Sequence, residues 1–415
     1  QVSLTPRTWI ADVQTALGPG ANASARRAAA NDAVRISAEL GWQGHRRAFS
    51  HYMLGRMTQV NDPQLAHLVN VILYLILSLG IFQLFLNWFP KVHYEILFAI
   101  VVLFIAHPIH TEVVANVKSR DELLAMVFGI FALLFFWKYL KSEKQSQLIS
   151  SLGLFLLACL SKESGVTWWI VFPLSVYFFT SENWVHSFTK TKWFIAPPAL
   201  FVGIWFWVNN VDAVNETPDM INNVLFGVNS WSESVATKVF IIGKYVQLLV
   251  FPITLSWDYS YNQIPLVGFD SVPVISIVIG FVALIYWMWK NMNTRSAEMF
   301  WVIFFGATLS LSSNVFIEIG ATMAERFLFI PSLAFVFLLV WILVRVLKID
   351  IATFVGKNKW FFVGITSLIF ILCSSKTFTQ KKVWENNFIL AETGVISSPN
   401  SARTHFSMAS QYRIA

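Results

Sequence analysis

Long runs of apolar residues dominate the chain between residues 65 and 373 and restrict the folds open to it. Hydrophobic residues make up 56% of the 415 residues and charged residues only 13%, about half the charged fraction of ordinary soluble domains. A globular core cannot bury this much apolar surface, so the sequence predicts an all-α polytopic membrane protein. The runs are 65–89, 94–106, 123–140, 148–160, 166–179, 193–208, 235–251, 272–289, 299–311, 327–346 and 360–373.

Several runs are shorter than a membrane crossing requires. A crossing helix needs about 20 residues, or about 17 at the short end, and the runs 94–106 and 148–160 fall below this length. We therefore expect these helices to extend into the neighbouring polar stretches "HPIHTE" and "SKES". Ionisable groups there lie at or just below the membrane surface, where they face a cavity or a partner.

The basic residues of the loops predict the orientation. We call the face that carries "HPIH" side A and the other face side B. The loop bases fall on side B only if the run 235–251 does not cross, which predicts ten crossings and an interfacial or re-entrant helix over 235–251. Side B is then cytoplasmic, and side A is external and receives the C-terminus. The side B bases are Lys91, Lys141, Lys144, Lys190, Lys192, Lys290, Arg295, Lys348, Lys357 and Lys359.

The two ends of the chain differ in character from the membrane part. Residues 1–60 hold seven Arg and no Lys, contain no membrane-grade run, and form an atypical N-terminal segment. Residues 61–375 form the predicted transmembrane domain. Residues 376–415 resemble the opening helix pair of a tetratricopeptide array, with Pro399 and Asn400 at the turn. Such arrays need about three repeats for stability, so we expect the natural protein to continue past Ala415.

Four polar clusters fall on side A. Each alone is compatible with a helix cap or an interfacial ion pair, but four on one face beside short helices favour an external active site. The spacing of the two histidines fits no standard metal site, so no metal is predicted. The clusters comprise His107, His110, Glu112, Lys118, Arg120 and Asp121; Lys162 and Glu163; Asp258, Tyr259 and Tyr261; and Glu318, Glu325 and Arg326.

The motifs that the chain lacks restrict its chemistry. No P-loop and no GxGxxG sequence occurs, and no side B loop is long enough for a nucleotide-binding domain. The net charge of +7 is explained by cytoplasmic loops and does not indicate a nucleic-acid partner. A lipid-linked substrate that enters from the membrane suits this layout.

Several sequence blocks resemble a known family. "DPQLAHLVNVILY", "AHPIHTEVVANVKSRDELL", "ACLSKESGVT", "YVQLLVFPITLSWDYSYNQIPLV", "SNVFIEIGATMAERFLFIPSLAF" and "SPNSARTHF" occur in this order. Together they resemble the transmembrane and tetratricopeptide-repeat O-mannosyltransferases of the GT-C superfamily. The resemblance implies a GT-C-type helical bundle with an external active site. It also implies a polyprenyl-phosphate sugar donor, Ser/Thr hydroxyls of exported proteins as acceptors, and no separate cofactor.

The N-terminal segment departs from this pattern. The family places an Asp-rich loop after its first membrane helix, and that loop supplies the catalytic base. Residues 1–60 contain only Asp12 and Asp32 as aspartates, and neither lies in a matching context. The resemblance therefore leaves the principal base unassigned.

The resemblance and the chemistry together predict roles for the side A residues. In an inverting transfer, a carboxylate takes the proton of the acceptor hydroxyl and a cation stabilises the departing phosphate. The expected phosphate ligands are Arg326 first, then Lys162 and Arg120. The expected catalytic group comprises Glu112, the fallback base, with Asp121, His107 and His110, which orient the sugar or acceptor or hold Glu112. The expected substrate-binding residues are Asp258, Tyr259, Glu163 and Glu325.

Two other functions fit the same pattern. A polytopic transporter or flippase would use the acids and bases as a substrate path, and a non-catalytic scaffold would only present the repeats to protein partners. The compact loops and the composition rich in Lys and Phe favour a bacterial inner membrane with a periplasmic site, the alternative being the endoplasmic reticulum membrane with a luminal site. Membrane lipids, the lipid-linked sugar and exported proteins are the expected partners.

Overall fold

The computed structural model of the protein describes residues 63–211 and 220–414. The atypical segment 1–60, with Asp12 and Asp32, therefore lies outside the described residues. Within them the chain is helical and contains no strand, which confirms the all-α fold class.

Every apolar run forms a helix. The α-helices are α1 Pro63–Trp88, α2 Tyr94–Ala106, α3 Thr111–Ala115, α4 Arg120–Ser142, α5 Gln145–Ser161, α6 Trp168–Phe179, α7 Trp184–Thr191, α8 Ala196–Val211, α9 Trp231–Val250, α10 Val272–Lys290, α11 Ala297–Leu309, α12 Ser332–Val346, α13 Lys359–Gln380, α14 Asn387–Ser397 and α15 Ala402–Ile414.

Some of these helices are long and apolar enough to cross a membrane. Four candidate spans pass by length and composition among the described residues: Gln64–Trp88, Val117–Ser142, Val272–Lys290 and Lys359–Trp384. The bent pair Tyr94–Ala106 and Pro108–Ala115 is a possible fifth span. The chain is thus a multi-pass membrane protein, while the count of ten crossings stays a prediction.

The short helices do not extend as the sequence predicts. Helix α2 ends at Ala106, because the ring of Pro108 disfavours the helical conformation at His107, which is extended at φ −65° and ψ 125°. The chain bends by 50° there before Pro108–Ala115. Helix α5 likewise ends at Ser161, with Lys162 extended. The predicted extension into "HPIHTE" and "SKES" is wrong, and both stretches instead form breaks at the ends of helices.

Aromatic side chains pack α1 against α11 and α12. The ring of Trp301 lies 4.9 Å from that of Phe337 and 5.7 Å from that of Phe85, centroid to centroid. Offset and edge-on contacts at these distances are favourable. This core holds together the two helices on either side of the loop that carries Arg326.

Helix α9 lies along the side A loops for most of its length. Lys238 pairs with Glu318 at 2.9 Å, and the backbone N–H of Ala324 donates to the hydroxyl of Tyr245 at 3.2 Å. The carbonyl of Leu249 accepts from the ring of a side A histidine at 3.0 Å. Contacts of Lys238, Tyr245 and Leu249 with one set of loops agree with an interfacial or re-entrant helix.

The basic loops gather at the other end of the bundle. Lys141, at the end of α4, donates to Asn87 in α1 at 3.2 Å. Lys359, at the start of α13, lies 3.5 Å from Glu95 at the start of α2. These contacts bring the loops that the charge pattern assigns to side B to one end of the helices.

The tail forms two antiparallel helices. Helices α14 and α15 are joined by residues 398–401, which include the turn predicted at Pro399 and Asn400. The helix pair is as expected, while its identity as a tetratricopeptide unit stays a prediction.

Candidate active site

A cavity of about 800 Å³ opens at side A. It is lined by residues from all four polar clusters or their neighbours and from the tail. They are His67, Glu112, Ala115–Ser119, Asp121, Lys162–Ser164, Trp257, Leu311, Ser312, Ile319–Ala321, Arg326, Phe327, Trp384–Asn387, Leu390 and Arg403. Segments separated by up to 336 positions in the sequence (from 67 to 403) therefore share one site.

Glu112 and Arg326 form the best-defined contact in the cavity. Glu112 lies in the first turn of α3, directly after the break that Pro108 produces. Its Oε1 accepts from Arg326 Nη1 at 2.7 Å, and its Oε2 accepts from the backbone N–H of Arg326 at 2.8 Å. Glu112 is 2% exposed, so its charge is balanced inside the protein by Arg326.

The guanidinium of Arg326 keeps donors for a ligand. Its side chain is 29% exposed, and its Nε and Nη2 make no hydrogen bond with any described residue. Its carbon lies 5.0 Å from the ring centroid of Phe327. Burial alone would lower the pKa of Arg326, but the Glu112 carboxylate raises it, so the group is a fixed cation.

Lys162 is the second cation that the sequence predicts, and it also lies in the cavity. Its ammonium lies 2.8 Å from Asp121 Oδ2 and 3.8 Å from Glu122 Oε1. Burial lowers the pKa of Lys162, but the carboxylates of Asp121, Glu122 and Glu163 together raise it above its ordinary value. Lys162 is therefore charged at neutral pH.

The buried carboxylate of Glu122, beside Lys162, is only partly hydrogen-bonded. Its Oε2 accepts from the hydroxyl of Ser164 at 2.9 Å. Its Oε1 is buried without a hydrogen-bond partner in the described part of the chain. Buried polar atoms without a hydrogen-bond partner are uncommon in native structures, and they often belong to sites with a catalytic or binding role. The sequence patterns predict no role for Glu122, although it adjoins Asp121.

Lys118 and Arg403 add two cations that received no role from the sequence. Lys118 is exposed in the cavity and makes no ion pair with the described residues. Arg403 comes from the tail helix α15, and its Nη1 lies 3.4 Å from Asp258 Oδ1. Lys118 belongs to a cluster that the sequence singles out, whereas nothing local to Arg403 predicts its position.

Glu163 lines the cavity as predicted, and two tryptophans join it there. Glu163 is half-buried, and its carboxylate has no hydrogen-bond partner among the described residues. Trp257 and Trp384 form part of the wall. Trp257 directly precedes Asp258, so the sequence predicts the cluster but not the tryptophan side chain that reaches the cavity.

The two histidines do not reach the cavity, contrary to the prediction. His107 Nε2 donates to the carbonyl of Leu249 at 3.0 Å, and its Nδ1 accepts from the backbone N–H of Ile109 at 3.3 Å. Both ring nitrogens are thus used within the protein. His107 is 4% exposed and connects the break after α2 to the end of α9.

His110 is occupied in the same way. Ser332 donates its hydroxyl proton to the carbonyl of Phe329 at 2.6 Å, so it accepts from His110 Nε2 at 2.8 Å. Nδ1 then accepts from the hydroxyl of Tyr74 at 2.6 Å. Neither histidine binds sugar or holds Glu112. They fasten the break after α2 to α1, α9 and α12.

Arg120 is also misassigned as a phosphate ligand. It is 4% exposed and is not among the residues that line the cavity. Its Nε donates to Asn70 Oδ1 at 2.7 Å and its Nη2 to the carbonyl of Ala66 at 2.8 Å. The guanidinium joins the start of α4 to α1, because these helix ends approach more closely than the sequence reveals.

Asp258 lies behind the cavity wall and is not exposed to a substrate. Its Oδ2 accepts from the hydroxyls of Ser260 and Ser401, each at 2.6 Å. It is 7% exposed and does not line the cavity. The predicted direct contact with substrate is therefore wrong.

Tyr259 and Glu325 form a second buried pair behind the wall. The hydroxyl of Tyr259 donates to Glu325 Oε1 at 2.7 Å, and the backbone N–H of Ser256 donates to the same oxygen at 2.5 Å. Burial and the nearby charge of Glu112 raise the pKa of Glu325, which favours its neutral form. Neither residue lines the cavity, so the predicted substrate contacts are replaced by a structural link between the loop at 256–259 and Arg326.

No group of three or more His, Cys, Asp or Glu side chains suited to hold a metal ion occurs in residues 63–211 and 220–414. The arrangement offers instead a cavity with fixed cations, suited to bind phosphate, beside carboxylates that accept hydrogen bonds from hydroxyls.

Comparisons with known proteins identify relatives over most of the chain. It is 27% identical over 357 residues to a protein O-mannosyl-transferase of Caenorhabditis elegans, a match that covers 82% of this chain and 47% of the relative. It is 25% identical over 391 residues to protein O-mannosyl-transferase TMTC1 of Homo sapiens, covering 84% and 43%. Protein O-mannosyl-transferase TMTC3 of Homo sapiens is 25% identical over 407 residues, covering 85% and 40%.

The chain thus spans less than half the length of these curated relatives. No protein-family model matches it, and no solved structure matches it. The relatives agree with the family that the six sequence blocks resemble. Over most of its length the chain is therefore similar to protein O-mannosyl-transferases, including TMTC1 and TMTC3.

Proposed function

We propose that this chain is the membrane part of an inverting protein O-mannosyltransferase. It moves mannose from a polyprenyl-phosphate carrier to Ser/Thr hydroxyls of exported proteins at the side A cavity. The names of the relatives support glycosyl transfer to protein, and the absence of a P-loop or GxGxxG sequence favours a lipid-linked donor over a nucleotide sugar.

The observation that carries the proposal is the fixed position of Arg326. The carboxylate of Glu112 accepts from Nη1 of Arg326 at 2.7 Å and from the backbone N–H of Arg326 at 2.8 Å. The Nε and Nη2 atoms of Arg326 are left to bind a ligand. Lys162 and Lys118 line the same cavity. A guanidinium held in this way forms two parallel bonds to phosphate oxygens, and the two lysines supply further positive charge.

The reaction needs this charge when the donor bond breaks. The acceptor hydroxyl attacks the anomeric carbon and forms the new C–O bond as the bond to the phosphate oxygen breaks. A carboxylate takes the hydroxyl proton, and the electron pair leaves with polyprenyl phosphate. Pre-positioned cations stabilise the negative charge that grows on the phosphate.

Glu112 is a poor choice for the base, since both of its oxygens already accept from Arg326. Its role is to position Arg326. The family resemblance implies a base from an Asp-rich loop, but Asp12 and Asp32 lie in no matching context, so the base stays unassigned.

The cavity faces away from the cytoplasm in this proposal. The lysine-rich loops gather at the opposite end of the bundle, and such loops remain on the cytoplasmic side. The matched relatives come from animals, which favours the endoplasmic reticulum membrane with a luminal site over a bacterial inner membrane.

The direct test is mass spectrometry of exported proteins from cells with and without the protein. Hexose on Ser or Thr of specific peptides should disappear on deletion and return with the natural gene. The gene with Lys118→Glu should fail to restore it, because a negative charge then faces the donor phosphate. An unchanged glycopeptide set after deletion would refute the proposal.

The same cells distinguish transfer from transport. A transporter or flippase would show substrate flux in sealed vesicles that contain the purified protein, without new hexose on added acceptor peptides. We expect the reverse result.

A further inference from the structure

The tail helices are fastened to the loop after α9 by a buried cluster of hydrogen bonds. Asp258 is its centre. Its Oδ2 accepts from the hydroxyls of Ser260 and Ser401 at 2.6 Å each, and its Oδ1 lies 3.4 Å from Arg403 Nη1. Ser401 and Ser260 are each 3% exposed or less. One carboxylate thus joins the loop at 256–262 to the start of α15.

Further hydrogen bonds surround this centre. The hydroxyl of Ser398 donates to that of Ser256 at 2.8 Å, and the backbone N–H of Ala402 donates to the carbonyl of Tyr261 at 2.6 Å. The backbone N–H of Asn262 donates to the carbonyl of Asn400 at 2.8 Å. These bonds hold the turn between α14 and α15 against the loop.

A close approach of Trp257 completes the attachment. Its indole N–H donates to the carbonyl of Leu390 at 2.9 Å. The ring also lies against Gly394, where a Cβ atom would meet the indole nitrogen at 2.2 Å. Only glycine leaves room for the ring at that point, so α14 and Trp257 form one continuous surface of the cavity.

The cavity therefore has two walls of different chemistry. The first, which we call the bundle wall, carries the cations Lys118, Lys162 and Arg326. The second, which we call the tail wall, consists of Trp384, Glu385, Asn386, Asn387, Leu390 and Arg403. Amide side chains pair with peptide N–H and C=O groups, and an indole covers apolar side chains. The bundle wall suits a sugar phosphate, and the tail wall suits a polypeptide.

We propose that Asp258 is a positioning residue that holds the tail wall beside the bundle wall, so that an extended acceptor polypeptide lies between them with its hydroxyl at the donor. The proposal rests on the proposed function, since it names the acceptor side of the same site. Asp258 acts through Ser401 and Arg403. It does not line the cavity, and its oxygens are occupied by these partners.

The test compares Asp258→Asn with the wild type in the full-length natural protein, purified in detergent. Asparagine removes the charge and presents an N–H group to a hydroxyl donor, so the link to the tail weakens. We expect the KM for a Ser/Thr acceptor peptide to rise about tenfold or more, on the scale of a lost hydrogen bond to a charged group. The donor KM and kcat should change by less than about twofold on this reasoning.

Asp270→Asn is the matched control. Asp270 is exposed in the loop before α10 and lies outside the cavity, so the same chemical change there should leave all three constants unchanged. Amide hydrogen exchange provides a readout independent of activity. Residues 387–414 should exchange faster in Asp258→Asn and at the wild-type rate in Asp270→Asn.

A covalent link should rescue the defect. The hydroxyl oxygens of Ser260 and Ser401 are 3.0 Å apart, so cysteines at both positions lie close enough for a disulfide after small adjustments. In Asp258→Asn with Ser260→Cys and Ser401→Cys, oxidation should restore the acceptor KM and slow the exchange of residues 387–414. Reduction should reverse both changes.

Two results would overturn the proposal. One is a fall in kcat with an unchanged acceptor KM that oxidation does not restore, which would assign Asp258 to the chemistry. The other is unchanged exchange of residues 387–414 in Asp258→Asn, which would show that the tail is held without it. If the wild type transfers no mannose, the proposed function fails, while the exchange experiment still tests the attachment.

Discussion

The carboxylate of Glu112 binds Arg326 at two points, its guanidinium at 2.7 Å and its backbone N–H at 2.8 Å. The two residues lie 214 positions apart, one after the break that follows α2 and the other before α12. This contact fixes the depth and the direction of a cation at the end of the bundle. It also means that Glu112, left without Arg326, is a buried and unbalanced charge.

Arg326 should be required for transfer. Arg326→Ala removes the fixed cation and should lower the rate at least about a hundredfold, the usual effect of losing a group that stabilises transition-state charge. Arg326→Lys keeps the charge but loses the planar guanidinium that can form two parallel hydrogen bonds to a phosphate. It should retain about a tenth of the rate or less. Both rates are measured with labelled lipid-linked mannose.

Arg345→Lys is the control for these variants, because Arg345 lies on side B and its side chain is 65% exposed. Its rate should equal that of the wild type. Normal donor binding and turnover by Arg326→Ala would show that Arg326 only anchors the helix or neutralises Glu112.

Glu112 should matter for both stability and donor binding. Glu112→Gln keeps the shape of the side chain but leaves the guanidinium without its carboxylate. We expect a loss of about 1.5–3 kcal/mol in unfolding free energy, typical of a hydrogen bond to a charged group, and a donor KM raised about tenfold. Thermal unfolding and steady-state kinetics measure the two effects.

Glu163→Gln is the control for stability, since its carboxylate has no hydrogen-bond partner among the described residues. Its unfolding midpoint should fall by much less than that of Glu112→Gln, because Glu163 contributes only a charge attraction to Lys162. Equal midpoints for Glu112→Gln and Glu163→Gln would contradict the positioning role of Glu112.

Glu325 should behave as a neutral acid. Burial and Glu112 raise its folded-state pKa above its ordinary value of 4.5. Above that ordinary value the unfolded chain releases a proton that the folded chain keeps, so this site lowers stability as the pH rises toward the folded-state pKa. Glu325→Gln resembles the neutral acid and should remove this dependence while it preserves the transfer activity.

The measurement is the difference in unfolding midpoint between Glu325→Gln and the wild type from pH 5 to pH 8. The unfolding midpoint of Glu325→Gln should rise relative to that of the wild type as the pH rises. A difference that stays constant across this range, or that changes in the opposite direction, would show that Glu325 is ionised in the folded protein.

The sequence predicted the helices well because apolar runs specify helices in a membrane regardless of their neighbours. It also placed Glu112, Asp121, Lys162, Glu163 and Arg326 at one site, and all five line the cavity. The charge pattern of the loops alone was sufficient to bring these distant segments to the same end.

The sequence could not predict which way each side chain turns at a helix end. Arg120 lies between two cavity residues in the chain and His107 lies five positions before Glu112. Both point inward because α1 and α9 offer them backbone carbonyls. Arg403 reaches the cavity only because the tail folds back onto the loop after α9. Such directions depend on packing between distant segments, for which sequence spacing carries no signal.

The topology predicts opposite accessibility for two exposed positions. Met292 lies in the loop between α10 and α11 on side B, and Asn400 lies in the tail turn on side A, so Met292→Cys and Asn400→Cys should react with an impermeant thiol reagent from opposite sides. The background is low because Cys159 is buried and Cys373 is half-buried. Labelling of both positions from one side would refute the ten-crossing arrangement.

The donor choice of the purified full-length protein shows whether the cavity uses a lipid-linked sugar. The protein is given a Ser/Thr acceptor peptide with either polyprenyl-phosphate-mannose or GDP-mannose, and hexose on the peptide is measured. We predict transfer from polyprenyl-phosphate-mannose, its loss in Arg326→Ala, and no transfer from GDP-mannose. Efficient transfer from GDP-mannose in the absence of lipid donor would contradict the account.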